Sequence, residues 1–363
     1  MTNYTATSRP RDYNLASGDR LTVPQPVVVS GRVTATGATA IEIFGQVSST
    51  QAGSTLLVSG SDAVTSLTIG PSGTLGPSSE PVMFIGGSAA TIVNSGTILG
   101  QAKAAADTFS NTVNSIVFSA DHVSLTNLGS ILGGGVTRGL GLALMSIYGD
   151  ASIVNTGTMR GPGIQTASGS YILPSIIAFG VSAHVDLDNR GSLAGAINLG
   201  ESAQNNRIIN SGFLAQGSPG VVPYAVMLGS GDDLFDSSTG RITAPLWKLS
   251  IVGGLGADTI IGSPDDNVIY GGFSTDGVDG DSRDNGDVIY GGYGNDYITG
   301  GYGDDVLYGN QNDDIVYGNE GNDILYGGKD SDVLYGGKGD DYINGNSYND
   351  KLLGNAGDDT FAF

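Results

Sequence analysis

Residues 291–326 read GGYGNDYIT, GGYGDDVLY, GNQNDDIVY and GNEGNDILY, and these four segments share one pattern of nine residues. Each unit opens with Gly, carries Asp at position 6 and has an apolar residue at position 8. The pattern extends from Gly253 to Ala362 as eleven units, interrupted once by the 11-residue insert Ser274–Asp284. Self-similarity at a short fixed period is typical of solenoids, in which each repeat packs against its neighbours.

Position 8 is apolar in every unit, which predicts a short strand with its middle residue buried. The neighbours of that residue then point outward, and they include six tyrosines. The rest of each unit is left for a turn, where glycines permit the positive φ of a sharp bend. Position 8 is occupied by Ile260, Ile269, Ile289, Ile298, Leu307, Val316, Leu325, Leu334, Ile343, Leu352 and Phe361, and the tyrosines are Tyr270, Tyr290, Tyr308, Tyr317, Tyr326 and Tyr335.

Position 6 is Asp in ten units and Asn267 in the remaining one. If two nonapeptides form one coil, every second turn stacks in the same column, about 4.8 Å from the next. Carboxylates at that spacing repel one another unless a cation lies between them, and Ca²⁺ binds carboxylate and carbonyl oxygens. An acidic surface without metal does not explain an Asp at every ninth residue. The candidate calcium ligands are Asp258, Asp287, Asp305, Asp323, Asp341 and Asp359 in one column, and Asp296, Asp314, Asp332 and Asp350 in the other.

The nonapeptide pattern resembles the RTX repeat of hemolysin-type calcium-binding proteins, GGxGxDxUx. The resemblance implies a β-roll in which each Ca²⁺ lies between two stacked turns, held by their Asp carboxylates and by turn carbonyls. It implies at most five ions in the first column and four in the second, about nine in all. It also implies type I secretion to the cell exterior. Residues 1–10 lack the apolar core of an N-terminal signal peptide, in agreement with that route.

Three features depart from the family pattern. Asn267 is neutral, so we expect a weaker site there, and Tyr348 replaces the Gly of position 4, so we expect distortion near Asp350. The insert contains Asp276, Asp279, Asp281 and Asp284. It forms either a calcium site of its own or a solvated acidic loop.

Residues 1–250 contain a looser repeat in which Asn and Gly lie between apolar residues. We interpret each copy as a strand, a tight bend and a second strand, with left-handed backbone at the Asn and Gly. A parallel β-helix with loops inserted at one corner explains the copies better than the alternative, a β-sandwich. The expected fold is thus an all-β parallel β-solenoid, with a β-helix over 1–250 and a calcium-binding β-roll over 251–363. The copies are IVNSGTI (Asn94), LTNLGSI (Asn127), IVNTGTM (Asn155), LDNRGSL (Asn189) and IINSGFL (Asn210).

The acidic charge is concentrated in the β-roll. Asp and Glu outnumber Lys and Arg by 22 to 4 in residues 251–363, against 14 to 11 in residues 1–250. Such a region repels nucleic acid and anionic membranes and attracts hard cations. The chain has no Cys, and no apolar run is long enough to insert into a membrane.

Catalytic motifs are not recognisable, so we expect a structural protein and not an enzyme. His122 follows Asp121, and His184 lies two residues before Asp186, but each His is explained by an outward strand position or by hydrogen bonding within a coil. The expected function is a secreted calcium-binding protein of the cell surface or matrix: an adhesin, a surface-layer protein or a filament former. Its partners would be calcium, other copies end to end or side by side, and cell-surface polysaccharide. Asp359–Phe363 remains in repeat register with no capping helix, so either the sequence is a fragment or the ends stack between molecules into a filament or layer. The alternative is a β-helix enzyme such as an alginate epimerase or a polysaccharide lyase.

Overall fold

The computed structural model confirms an all-β parallel solenoid. Strands are the regular elements throughout the described residues, which contain no helix and therefore no helix able to span a membrane. Neighbouring strands pair in parallel except β19 and β20, whereas a β-sandwich would pair its strands antiparallel. The structure describes residues 2–7, 12–37, 39–48, 56–59, 64–76, 83–100, 116–133, 135–136, 145–161, 163–166, 169–172, 176–178, 183–200, 202–215, 225–243, 249–272 and 284–362.

The chain forms two compact units that divide at residue 196. The division at residue 250 rests on the repeat pattern and remains a prediction. The strands of the first unit are β1 (Asn3–Thr5), β2 (Tyr13–Ala16), β3 (Arg20–Val23), β4 (Val28–Ser30), β5 (Val33–Thr36), β6 (Thr39–Ile43), β7 (Gln46–Ser48), β8 (Leu56–Ser59), β9 (Val64–Ile69), β10 (Thr74–Leu75), β11 (Met83–Asn94), β12 (Thr97–Leu99), β13 (Ile116–Asn127), β14 (Ser130–Leu132), β15 (Gly135–Val136), β16 (Met145–Ile147), β17 (Asp150–Asn155), β18 (Thr158–Arg160), β19 (Gly163–Thr166), β20 (Gly169–Ile172), β21 (Ile176–Ala178), β22 (Val185–Asn189) and β23 (Ser192–Ala194).

Successive coils of the first unit stack in strict register. Along the longer face β9, β11, β13, β17 and β22 pair in order, and across the bend β10, β12, β14, β18 and β23 do the same. Alternate side chains point inward and form the core. One buried row comprises Leu67, Ile92, Leu125, Ile153 and Leu187, and another comprises Leu75, Ile98, Ile131, Met159 and Leu193.

The asparagines of the repeated phrase have a different role from the one expected. None of Asn94, Asn127, Asn155 and Asn189 has a positive φ; each ends its strand with a buried side chain. The amide of Asn94 donates to Asn127 Oδ1 (2.8 Å), that of Asn127 to Asn155 Oδ1 (2.7 Å) and that of Asn155 to Asn189 Oδ1 (2.7 Å). The asparagines therefore form a hydrogen-bonded ladder along the bend.

The glycine of the same phrase is required by close packing and not by a left-handed backbone. A Cβ on Gly129 would lie 2.1 Å from the carbonyl oxygen of Gly96, and one on Gly157 would lie 2.1 Å from that of Gly129. The expectation of left-handed residues was wrong because the main chains of successive bends touch at this point.

The second unit contains β24 (Ile197–Asn198), β25 (Arg207–Asn210), β26 (Phe213–Ala215), β27 (Val226–Gly229), β28 (Leu234–Asp236), β29 (Arg241–Thr243), β30 (Leu249–Gly254), β31 (Thr259–Ile261), β32 (Asn267–Gly272), β33 (Val288–Tyr293), β34 (Tyr297–Tyr302), β35 (Val306–Gln311), β36 (Ile315–Glu320), β37 (Ile324–Lys329), β38 (Val333–Lys338), β39 (Tyr342–Asn346), β40 (Lys351–Ala356) and β41 (Thr360–Ala362). From β30 onward, each strand pairs with the next but one, so two nonapeptides make one coil.

The register confirms the coil length. Val306 pairs with Val288 on one side and with Ile324 on the other, and each partner lies two nonapeptides away along the chain. Thr259 pairs with Val288, which lies two nonapeptides and the insert further on, so the described strands on either side of the insert keep the same register. The apolar residues at position 8 are fully buried from Ile260 to Ile343, while Leu352 and Phe361 of the last coil are more exposed.

The tyrosines that follow position 8 point outward and stack. Tyr308 lies parallel to Tyr290 and Tyr326, with ring centroids 4.7 and 4.9 Å apart. Tyr317 and Tyr335 stack in the same way at 4.6 Å. The rings thus cover much of each other's faces, which is favourable for aromatic side chains at this separation.

Candidate metal centre

The side chains at position 6 form two hydrogen-bonded columns that run through the second unit. In each pair, the main-chain N–H of one residue donates to Oδ1 of the residue one coil further on. The first column contains Asp233, Asp258, Asp287, Asp305, Asp323, Asp341 and Asp359, and its distances are 2.7–3.1 Å. The second contains Asn267, Asp296, Asp314, Asp332 and Asp350, at 2.7–3.0 Å.

In eight of these aspartates the other carboxylate oxygen has no donor. Oδ2 is buried without a hydrogen-bond partner in Asp233, Asp258, Asp287, Asp305, Asp314, Asp323, Asp332 and Asp341. Unpaired buried carboxylate oxygens are costly, since desolvation penalises the charge. A regular series of them suits binding of a cation.

In Asp258, Asp287, Asp305, Asp314, Asp323 and Asp341, this oxygen faces a main-chain carbonyl across the position 1 glycine. A Cβ on Gly300 would lie 2.0 Å from Asp305 Oδ2 and 2.9 Å from the carbonyl oxygen of Gly318. For Gly318 the corresponding distances are 2.1 Å to Asp323 Oδ2 and 2.6 Å to the oxygen of Gly336. The glycine at position 1 therefore leaves room for two facing oxygens, an arrangement that repels without a cation and suits Ca²⁺.

The raised pKa values of the column aspartates agree with a cation bound beside them. Burial, reinforced by neighbouring carboxylates, raises the pKa of Asp287 to about 10 and that of Asp305 to about 9. Burial raises the pKa of Asp314 to about 8 and those of Asp323 and Asp332 to about 7, partly offset by the main-chain N–H donors. The buried carboxyl groups of the columns are therefore only partly ionised at neutral pH unless a cation compensates their charge.

Side chains alone do not complete a site. Within the described ranges, no three His, Cys, Asp or Glu side chains converge closely enough to hold a metal. Each candidate position must combine one or two carboxylates with main-chain carbonyls, which are ligands that Ca²⁺ accepts.

A protein-family model identifies the turns of the two Asp columns. The family model of the RTX calcium-binding nonapeptide repeat (4 copies) matches at residues 252–285, 281–316, 308–343, 317–352 and 335–362. Residues 252–362 are RTX calcium-binding repeats. Comparison with curated proteins and with solved structures finds no significant match to the chain.

The first column extends beyond the matched RTX repeats. Asp233 belongs to the segment LGSGDDLFD, a degenerate forerunner of the repeats, and its Oδ1 accepts the N–H of Asn206. Burial raises the pKa of Asp233 to about 8. Asp233 was not among the sequence candidates because Leu228 replaces the position 1 glycine, although the GDD triplet marks its turn.

Tyr348 leaves the hydrogen bond between its turn and the neighbouring coil intact, while the expected distortion of the calcium site near Asp350 remains a prediction. It adopts a φ of +85°, and Oδ1 of Asp350 still accepts the N–H of Asp332 at 3.0 Å. Left-handed φ also occurs at position 4 in Asn312 and Asp330. The turn is preserved because a side chain there points into solvent, at the cost of a strained backbone.

Only the last residue of the insert lies among the described residues. The Asp284 side chain is buried, and burial together with the charge of Asp258 raises its pKa to about 7. A Cβ on Gly272 would lie 2.2 Å from its Oδ2. Asp276, Asp279 and Asp281 lie outside the described residues, so the two interpretations of the insert stay open.

His122 is exposed on β13, whereas His184 lies just before β22, is half-buried and accepts the main-chain N–H of Ala151 at its carbonyl oxygen (2.8 Å). His122 Nδ1 lies 3.1 Å from Asp150 Oδ2, and both side chains are largely exposed. Arg190 is paired with Asp188, two residues away, at an exposed bend. Both pairs are in contact with solvent, as ordinary surface ion pairs are.

Proposed function

We propose that this protein is a secreted structural protein whose folding outside the cell is driven by calcium bound along the two Asp columns. The ligands would be Asp258, Asp287, Asp296, Asp305, Asp314, Asp323, Asp332, Asp341, Asp350 and Asp359, with Asp233 as a further member. The observation that carries the proposal is the series of buried Oδ2 atoms that face carbonyl oxygens without a donor.

Calcium binding would provide folding free energy because the unliganded columns repel themselves. In the low-calcium interior of the cell the chain would remain unfolded, and it would fold when it reached the calcium-rich exterior. RTX repeats are typical of type I secreted proteins, which supports this route.

The first unit supports a contact role. Successive coils place Ser66, Thr91, Ser124 and Ser152 in one exposed row, in register from strand to strand. A regular row of small hydroxyl groups offers hydrogen bonds to a repeating partner such as a surface polysaccharide or another copy of the chain. We therefore propose an adhesive, surface-layer or matrix role with lateral self-association.

The experiment is a calcium titration of the full chain, followed by circular dichroism and light scattering. We expect β structure and particle size to increase together between chelator and millimolar calcium. A β signal that does not respond to calcium would refute the folding role. A folded chain that remains monomeric would refute self-association, and turnover of alginate or pectin would favour an enzyme instead.

A further inference from the structure

Two turns of the second unit differ from the other turns in sequence, and they differ in backbone from every Asp turn that the insert does not interrupt. They read Ser202-Ala-Gln-Asn-Asn206 and Ser263-Pro-Asp-Asp-Asn267, so that Ser occupies position 2, position 4 is not Gly, and position 6 is Asn. Positions 2 and 4 of these turns have no positive φ. In the turn of Asp305, by contrast, Gly301 and Gly303 have φ of +135° and +105°.

The amide of Asn267 is surrounded by acceptors. Its Nδ2, which carries two hydrogens, lies within hydrogen-bonding distance of the carbonyl oxygens of Ser263 (3.0 Å), Asp265 and Gly291 (3.5 Å) and of Oδ1 of Asp296 (2.9 Å). Its Oδ1 accepts from the N–H and the hydroxyl of Ser263 at 3.2 and 3.0 Å. Because carbonyls and a carboxylate cannot donate, these partners fix which amide atom is the nitrogen.

That nitrogen lies where the other turns place an unpaired oxygen. A Cβ on Gly262 would lie 2.2 Å from the carbonyl oxygen of Gly291 and 3.0 Å from Asn267 Nδ2. At Gly253 the corresponding neighbours are the oxygen of Gly271 (2.6 Å) and Asp258 Oδ2 (2.2 Å). The amide thus presents donors to the carbonyls that elsewhere face a carboxylate.

Asn206 repeats this arrangement in the other column. Its Nδ2 donates to the carbonyl oxygens of Gln204 and Leu228, both at 3.0 Å, and the side chain is buried. Gln204 is at position 4 of the same turn, and Leu228 is at position 1 of the next coil in that column, so the acceptors correspond to Asp265 and Gly291.

Both asparagines stand at the N-terminal end of their columns. Asn206 precedes Asp233, and Asn267 precedes Asp296. The residue that pairs with Asn267 on the other side is the apolar Leu249. Each series of carboxylates therefore begins beside a neutral turn.

We propose that the turns of Asn206 and Asn267 close without calcium, each amide filling the place of the cation, and that they form the calcium-independent first turn of the two Asp columns. The inference rests on the proposed calcium role of those columns. A preformed first turn presents ordered carbonyls to the next coil, which reduces the entropy lost when that coil folds onto it.

The experiment compares wild-type full chain with Asn267→Asp and with a control of equal charge change, Asn295→Asp. Asn295 is exposed at position 5 of the next turn in the column. Equilibrium dialysis counts the calcium bound per chain at saturation. We expect one additional ion for Asn267→Asp and no change for Asn295→Asp, because only the first change places a carboxylate opposite the Gly291 carbonyl.

Hydrogen exchange in chelator tests the same turn without calcium. The N–H of Ser263, which donates to Asn267 Oδ1, should exchange slowly in wild type and rapidly in Asn267→Ala, which should also bind no additional calcium. The N–H of Asp305, in a calcium turn, should exchange rapidly in chelator in every variant. Asn206→Asp provides an independent variant in the other column if Asn267→Asp fails to fold.

A calcium-binding wild type whose stoichiometry is unchanged by Asn267→Asp would overturn the inference alone. Rapid exchange of the Ser263 N–H in wild type would also overturn it, whether or not any variant folds. A wild-type chain that binds no calcium would refute the proposed function and this inference together.

Discussion

The main-chain N–H of Asp287 donates to Oδ1 of Asp305 at 2.7 Å, while Oδ2 of the same Asp305 carboxylate is buried without a donor. One oxygen therefore holds two coils together, and the other remains for a cation. A neutral amide could accept the same N–H but would not supply the second negative oxygen. The two oxygens of Asp305 can thus be tested separately from each other.

Asn substitution of Asp305 should weaken calcium-dependent folding while preserving the link between coils. Asp305→Asn retains Oδ1 as an acceptor and removes a charged ligand, so we expect the calcium midpoint of folding to rise by roughly tenfold. Circular dichroism during a calcium titration measures that midpoint.

The matched control is Asp304→Asn. Asp304 is exposed at position 5, and its Oδ1 accepts the N–H of Asn322 at 2.7 Å, a role that an amide oxygen can take over. Its calcium midpoint should remain close to that of wild type. Equal shifts in the two variants would argue against a specific role for Asp305.

Stability in chelator should decrease as the pH rises. Burial holds the pKa of Asp287 near 10, Asp305 near 9 and Asp314 near 8, whereas the unfolded chain releases these protons near pH 4. The folded chain binds more protons than the unfolded chain between those values, so its free energy of unfolding is highest below pH 4 and decreases above it. Circular dichroism in chelator at pH 5 and pH 8 measures the difference, since the protonated columns should keep more β structure at pH 5 than at pH 8.

Calcium should reverse this dependence because the cation replaces protons on the carboxyl groups. The calcium midpoint of folding should be lower at pH 8 than at pH 6, and binding should release protons into a weakly buffered solution. A midpoint that is independent of pH, with no proton release, would show that the buried carboxyl groups are already ionised in the unliganded fold.

The period of nine was sufficient to predict the buried ladder, the two columns and the coil of two nonapeptides, because each follows from stacking identical units. The capping of each N–H by Oδ1 was not predictable, since it depends on the register between coils. The role of Asn127 was missed because Asn beside Gly is equally typical of a left-handed turn. The turn of Asn206 was missed because it shares too little of the nonapeptide pattern.

The asparagine ladder should contribute to stability independently of calcium. Asn127→Ala removes the acceptor of the Asn94 amide and the donor to Asn155 Oδ1, both buried. Each buried polar group left without a partner costs on the order of 1–3 kcal/mol, so we expect a loss of about 2–4 kcal/mol in the free energy of unfolding of the first unit.

Thr126→Ala is the control for the ladder, since Thr126 is adjacent and its side chain is only half-buried. It should change the free energy of unfolding by less than about 1 kcal/mol. Denaturation with and without calcium separates the ladder from the columns, because the loss in Asn127→Ala should be the same in both conditions. A loss that appears only with calcium would contradict an independent ladder.

Replacing Tyr348 by Gly should stabilise its turn. Tyr348 has a φ of +85° and is 74% exposed, so its side chain contributes little packing to offset the left-handed backbone. Relief of that strain should raise the free energy of unfolding by about 1 kcal/mol, and the greater entropy of Gly in the unfolded chain offsets part of this gain. We expect Tyr348→Gly to raise the midpoint of thermal unfolding in calcium.

Tyr293→Gly, which removes an exposed tyrosine from position 3 where φ is not positive, should lower the same midpoint. An equal decrease in both variants would show that the tyrosine side chain, and not the backbone conformation, determines stability at this turn.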